Sequence, residues 1–261
     1  MGGGAPERAG GAVGTRDIFA GGYVGPMNAR DRARRRHWES VWASRADDEL
    51  SWFQAEPTVS LGWIERIAGI DDPIVDIGGG HSPLAATLAR RGYRDLTVID
   101  VSRHAVERAQ RRAGRVAPRI HWSVGDVTRL GPVGPVAVWH DRAVFHFLTR
   151  AEERERYLRR ARAAVRPGGY FLLATFAPDG PPRCSGLPVR RYDAPSLARE
   201  LGEGVRLVAH RRESHRTPFG TRQPFLYTLW RRTDAATRRR PSAASAPGSP
   251  SGRSQGRGRG R

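Results

Sequence analysis

Apolar positions along the chain fall into short runs separated by stretches of helical spacing. Residues 74–77, 96–100, 120–124, 136–140 and 170–176 read as strands. Helical periodicity is found over 37–45 and 59–68, ahead of the first strand. Ser82 and Pro83 stand at the N-cap and first helical position of LAATLARRGY, and Ser102 caps the helix after the second strand. Thr149-x-x-Glu152 reads as a capping box opening a helix to Val165, stopped by Pro167-Gly168-Gly169. Asp193 with Pro195 starts one more helix. Segments 205–210 and 225–230 close the pattern as strands without a helix between them, hence antiparallel neighbours. Repeated βα units predict an α/β fold: a seven-stranded, mostly parallel, doubly wound sheet with an antiparallel last strand. Its crossovers are expected to be right-handed.

Composition changes this picture mainly at the ends. The 261 residues carry a formal charge of +19, and all 45 basic residues are Arg. Most of the excess lies in residues 1–36 and 231–261, leaving +7 for 37–230, so the charge does not by itself mark a nucleic-acid-binding face. Residues 1–36 and 232–261 are expected to be disordered tails flanking one domain over 37–231, with 37–70 as helices in front of the sheet. The terminal GRGRGR can hold RNA weakly through charge and stacking. The first 30 residues have no apolar run long enough for a signal peptide or a membrane span. Cys184 is the sole cysteine, which excludes an intrachain disulfide and fits a reducing, cytoplasmic setting.

The stretch IVDIGGGHSP, residues 74–83, is where strand, glycine turn and capped helix meet. Glycines 78, 79 and 80 let the backbone pass close to a ligand, and the free N–H groups of the helix face any negative group on it. Three acids end consecutive strands: Asp76, Asp100 and Asp126. Asp100, 22 residues beyond Gly78, is placed to accept hydrogen bonds from a ribose diol.

In these motifs the chain resembles the class I S-adenosylmethionine-dependent methyltransferases over residues 37–231. VDIGGG resembles the family's first motif, VIDVS the ribose-binding one, VGDV the adenine-binding one, and RPGGYFLLATF its fifth strand. The resemblance implies a Rossmann-like sheet and S-adenosylmethionine as cofactor. It assigns cofactor contacts to Asp76, Gly78, Gly79, Gly80, Asp100, Val101, Asp126 and Val127. His81-Ser82-Pro83 departs from the more usual Thr-Gly at the methionine end. A dinucleotide-binding oxidoreductase shares the first turn and the ribose acid, but Pro83 replaces the third glycine of its fingerprint.

A sulfonium-bound methyl group is already activated, so the protein must align a nucleophile and deal with its proton. The family places the acceptor at the carboxyl end of strand four, here VAVWHDRAVFHFL. Asp141, His140 and His146 are therefore the candidate catalytic groups, and Arg142, Phe145 and His215 the candidate acceptor contacts. The bland alternative has Asp141 paired with Arg142 or a backbone amide while the histidines pack. As a metal site the His140, Asp141 and His146 spacing matches no regular ligand pattern, and none is assigned. His215, Arg222 and Gln223 are expected in the turn between the last two strands, and Cys184 as a buried small hydrophobe. Trp38, Trp42, Trp52 and Phe53 precede the sheet. In the family such a segment commonly forms a lid; Trp38 and Trp42 also fit a helix's core stripe, whereas Trp52 is expected to face the sulfonium.

The expected activity is methyl transfer to a heteroatom of a small molecule. A protein side chain, of the lysine type, is the alternative acceptor, and an RNA-associated factor acting through the Arg-rich tails is a third reading. No membrane partner is expected.

Overall fold

The computed structural model describes residues 27–46, 49–80 and 82–233. The remaining parts of the expected tails, the GRGRGR end and its RNA contact, and His81 lie outside the described residues. Helix α1 (Ala29–Ser44) and helix α2 (Thr58–Ile67) precede strand β1 (Ile74–Ile77). Helix α3 (Leu84–Arg90), β2 (Leu96–Asp100), α4 (Arg103–Ala113), β3 (Ile120–Val124) and β4 (Val136–Arg142) follow. Helix α5 (Ala151–Ala164) leads into β5 (Val165–Phe176) and a small ribbon of β6 (Arg183–Cys184) and β7 (Leu187–Pro188). Helix α6 (Ala194–Leu201), β8 (Val205–Arg216) and β9 (Arg222–Arg232) complete the order. Among the described residues no helix is long and apolar enough to cross a membrane.

The seven-stranded sheet has the order β3-β2-β1-β4-β5-β9-β8. Strands β1 to β5 pair in parallel, and β9 lies antiparallel between β5 and β8. β1 sits at the reversal of strand order, flanked by β2 and β4 and covered on both faces, which is why all four of its residues are buried. Alternation along the strands divides the core in two. Ile74, Val138, Leu172 and Leu229 pack with Val59, Leu61 and Ile64 of α2 and with α3. Val75, Ile77, Trp139 and Leu173 pack on the other face with Tyr157 and Leu158 of α5 and with Leu197 of α6.

Several boundaries differ from expectation for local reasons. α1 begins at Ala29, so residues 29–36, expected as tail, are helical: Asn28 caps the helix by accepting from Asp31 N at 2.8 Å. The helix after the glycine turn starts at Leu84, with Ser82 Oγ accepting from Leu84 N at 3.1 Å. α5 starts one residue later than read, since Glu153 rather than Glu152 reaches back to the Arg150 N–H. β5 begins at Val165 and carries Pro167-Gly168-Gly169 as an irregularity in its pairing with β4, made feasible by φ +75° at Gly168. β8 and β9 are longer than read, so His215, Arg222 and Gln223 lie in strands and the turn is 217–221.

α1 is fastened across the carboxyl edge of the sheet. Its Glu39 caps α4 from outside, accepting from Ser102 Oγ at 2.7 Å, Arg103 N at 2.9 Å and His104 N at 3.3 Å. Partial burial opposes ionisation of Glu39, yet these donors and the His104 ring pull it down to about 2 from an ordinary 4.5. A depressed carboxylate stabilises the fold fully above its ordinary value and loses that contribution as pH falls toward about 2. Glu39→Ala is expected to lower stability by about 1–2 kcal/mol, the scale of a lost helix cap. Thermal melts at pH 7 and pH 3 should show that difference shrinking in acid.

Candidate active site

The carboxyl ends of β1, β2 and β4 open into a cavity of about 760 Å³, measured to its open mouth, roofed by α1 and the segment after it. Ile77, Gly78, Asp100, Val101, Asp126 and Val127 form one wall. Trp38 and Trp42 from α1, with Trp52, Phe147 and Cys184, form the facing aromatic wall. A second chamber of about 400 Å³ adjoins it, sharing Trp52, Ile77, Gly78 and Arg142, and is lined further by Phe53, Asp76, Gly79, Ser82 and His140.

The glycine turn is built for close approach. Gly78 has φ +67°, and a Cβ there would stand 2.1 Å from Val144 Cγ2. A Cβ at Gly80 would meet Ala105 Cβ and Asp100 Oδ2, each at 2.7 Å. Asp100 accepts from Gly80 N at 3.1 Å and Ser102 N at 2.9 Å, tying the ends of β1 and β2 together. Burial pushes its carboxyl up to about 6, against the pull of those two N–H groups.

Asp126 is shared with the roof. Its Oδ1 accepts from Thr128 N at 2.8 Å and Thr128 Oγ1 at 2.7 Å, while Oδ2 is bound by the Arg34 guanidinium of α1. Burial alone would raise the Asp126 carboxyl; Arg34 and Thr128 outweigh it and hold it below the usual carboxylate range. Arg34 also reaches Glu153 at 2.9 Å, and Arg129 reaches Asp31 at 3.0 Å, so a chain of buried ion pairs clamps α1 over the cavity. Arg34 was not among the residues singled out from sequence, because it sits in an Arg-rich stretch read as tail. The Asn28 cap with an acid three residues on was the available signal.

In the second chamber two charged groups each keep one atom without a hydrogen-bond partner among the described residues. Asp76 and His140 are register partners of β1 and β4 and lie on the same face. His140 Nδ1 is 2.6 Å from Asp76 Oδ1, and its Nε2 is 2.9 Å from Ser60 Oγ of α2. Asp76 Oδ2 has no hydrogen-bond partner. Arg142 donates through Nε to Tyr227 OH at 2.9 Å and through Nη1 to Trp52 O at 2.9 Å, with its guanidinium 4.6 Å over the Phe225 ring; its buried Nη2 is unpartnered.

The strand-four cluster read from sequence is not one site. Asp141 neighbours His140 in the chain but points to the opposite face, where it is fully buried. It accepts from Val144 N at 2.9 Å, Phe145 N at 3.1 Å and Tyr157 OH at 2.5 Å, and so organises the turn after β4 instead of facing an acceptor. His146 is packed against Phe147, Phe176 and Phe225, and burial together with Arg142 pushes it down to about 3. It lines neither of these two cavities, so the structure does not bring it together with His140. Phe145 packs against Tyr157 and Tyr192, and Phe147 takes the cavity position instead. His215 hydrogen-bonds the Ser51 carbonyl at 2.9 Å, anchoring the segment that carries Trp52, and reaches neither chamber. Trp38 and Trp42 line the cavity while Trp42 also packs with Val41, Leu50 and Ala105, so the core and lid readings both describe them. Cys184 is buried in the core and touches the cavity wall.

A strand order reversing at β1, an antiparallel β9 and a carboxylate-bearing cavity at the carboxyl edge define a nucleoside-binding methyltransferase fold. The methyltransferase-domain family profile matches residues 74–169. The 27-O-demethylrifamycin SV methyltransferase of Amycolatopsis mediterranei (strain S699) is 31% identical over 209 residues, covering 74% of this chain and 72% of that protein. The eEF1A lysine and N-terminal methyltransferase of Danio rerio is 23% identical over 158 residues, covering 59% of this chain but 23% of that longer protein. Among solved structures, the Burkholderia thailandensis 1,6-didemethyltoxoflavin-N1-methyltransferase with bound 1,6-didemethyltoxoflavin and S-adenosylhomocysteine superposes with a TM-score of 0.57. It is 21% identical, covering 81% of this chain and 93% of that one. The chain belongs to the class I S-adenosylmethionine-dependent methyltransferases, and S-adenosylmethionine is its cofactor.

Asp141→Asn removes one of the two carboxylate oxygens that receive the turn and Tyr157. It is expected to cost about 1–3 kcal/mol of stability. Titration calorimetry on the folded variant should give an S-adenosylhomocysteine affinity within about twofold of the parent, the mark of a role in the fold and not in the site.

Proposed function

We propose that this chain transfers the methyl group of S-adenosylmethionine to a heteroatom of a small-molecule acceptor. When bound, the cofactor supplies an electrophilic methyl group on a sulfonium. Asp100 would receive the ribose hydroxyls, with Val101, Asp126 and Val127 around the adenine. The Gly78–Gly79–Gly80 backbone would lie against the cofactor. Asp76 Oδ2 and Arg142 Nη2, unpartnered and of opposite charge, suit an ammonium and a carboxylate on one amino-acid end. Trp52, shared by both chambers, offers an aromatic wall to a sulfonium cation.

The observation that carries the acceptor class is the roof. α1 covers the larger cavity with Trp38 and Trp42, which together with Trp52, Phe147 and Cys184 give it an aromatic wall. Such a wall suits a flat or apolar acceptor and can orient it, so alignment is the protein's main contribution to rate. The Amycolatopsis relative, named for a rifamycin, supports the same class. A protein side chain is the second reading, favoured by the Danio rerio relative named for a lysine and N-terminal methyltransferase.

The test is S-adenosylhomocysteine release across thiol, amine, phenol and carboxylic-acid acceptors, with unfolded protein and peptide substrates in parallel. Turnover on at least one small aromatic acceptor, lost in Trp38→Ala by about tenfold or more, is the expected result. Turnover restricted to polypeptide substrates would favour the second reading.

A further inference from the structure

We propose that His140, backed by Ser60, is a positioning residue: it holds Asp76 so that one carboxylate oxygen faces the cofactor's amino-acid end. This rests on the cofactor assignment above. Parallel pairing of β1 and β4 sets Asp76 directly opposite His140, and α2 packs on that same face with Ser60 pointing in. All three are enclosed: Ser60 is 0%, His140 2% and Asp76 3% exposed. With Nδ1–H donating to Asp76 Oδ1 at 2.6 Å, Nε2 is left to accept the Ser60 hydroxyl at 2.9 Å. The bond to the carboxylate sets the Nδ1–H tautomer, and the bond to Ser60 fixes the plane of the ring.

The consequence is a carboxylate whose two oxygens have different tasks. Oδ1 is committed to the histidine, while Oδ2 has no partner among the described residues, and Asp76 lines the smaller chamber. Gly79 keeps the approach to it open, since a Cβ there would stand 2.2 Å from Oδ2. An unpaired buried carboxylate oxygen is expensive and persists where a cationic group completes it. Arg142 Nη2, equally unpartnered, lines the same chamber. An anion and a cation around one small chamber match a zwitterionic α-amino-acid end. The order Ser60, His140, Asp76 has the look of a nucleophile relay, but Ser60 lines neither chamber and has no route to a substrate.

The experiment compares two ligands on the full chain by titration calorimetry: S-adenosylhomocysteine, and 5′-methylthioadenosine, which shares the nucleoside and thioether but lacks the amino-acid end. His140→Leu is expected to weaken S-adenosylhomocysteine by about tenfold or more while changing 5′-methylthioadenosine by less than about twofold. His140→Asn, which restores an N–H donor near the Nδ1 position, should recover most of the loss. Ser60→Ala, the mildest change, should weaken S-adenosylhomocysteine by about threefold with the same selectivity, and it carries the comparison if the leucine variant fails to fold. Equal weakening of both ligands, or an unchanged affinity for S-adenosylhomocysteine, would overturn the positioning role. A parent protein that binds neither ligand would instead overturn the cofactor assignment of this pocket.

Discussion

The register of β1 against β4 is the constraint on which the site depends. Setting Asp76 opposite His140 and Ile77 opposite Asp141 decides, for every residue at the carboxyl edge, which of the two faces it serves. One face receives α2 and α3 and sets His140, Asp76 and Arg142 around a polar chamber, with Ser60 behind His140. The other receives α5 and locks Asp141 into hydrogen bonds with Tyr157 and the turn after β4. A one-residue slip would exchange the two sets and bury the wrong carboxylate behind the wrong helix.

The second half of the site comes from α1, outside the repeated strand–helix units. Arg34 ties it to Asp126 and Glu153, Glu39 ties it to the start of α4, and Arg108 of α4 answers by donating to the Trp42 and Arg45 carbonyls at 3.0 and 2.6 Å. The Arg34 pairs are half-buried, where removing one partner strands the other in a low-dielectric setting. The aromatic wall of the cavity is therefore held in place by charges, of which Arg34 and Asp126 also line the cavity. Asp126 has a foot in both systems, since it borders the cavity and anchors the roof.

Much of this was legible in the order of residues. Glycine turn, strand-end acids and helix-free closing strands are local patterns, and they report a parallel sheet with a nucleoside site because each follows from backbone geometry over a few residues. The members of the cluster His140-Asp141-His146 are close in sequence, but successive strand residues face opposite ways, so the structure divides His140 and Asp141 between the two faces. The unpaired oxygen of Asp76 and the role of Ser60 depend on contacts across 64 and 80 residues, which no local pattern encodes. α1 was cut short at His37 because the Arg-rich residues before it were read as tail, although Arg30 and Arg34 there pair with Glu153 and Asp126 far along the chain.

A crystal structure of the chain with S-adenosylhomocysteine tests the central claim most directly. The result expected is the ligand's amino nitrogen within hydrogen-bond distance of Asp76 Oδ2, its carboxylate on Arg142 Nη2, and the Asp76–His140–Ser60 chain unchanged from the present distances of 2.6 and 2.9 Å. An amino-acid end lying elsewhere, with both of those atoms still unpartnered, would contradict it.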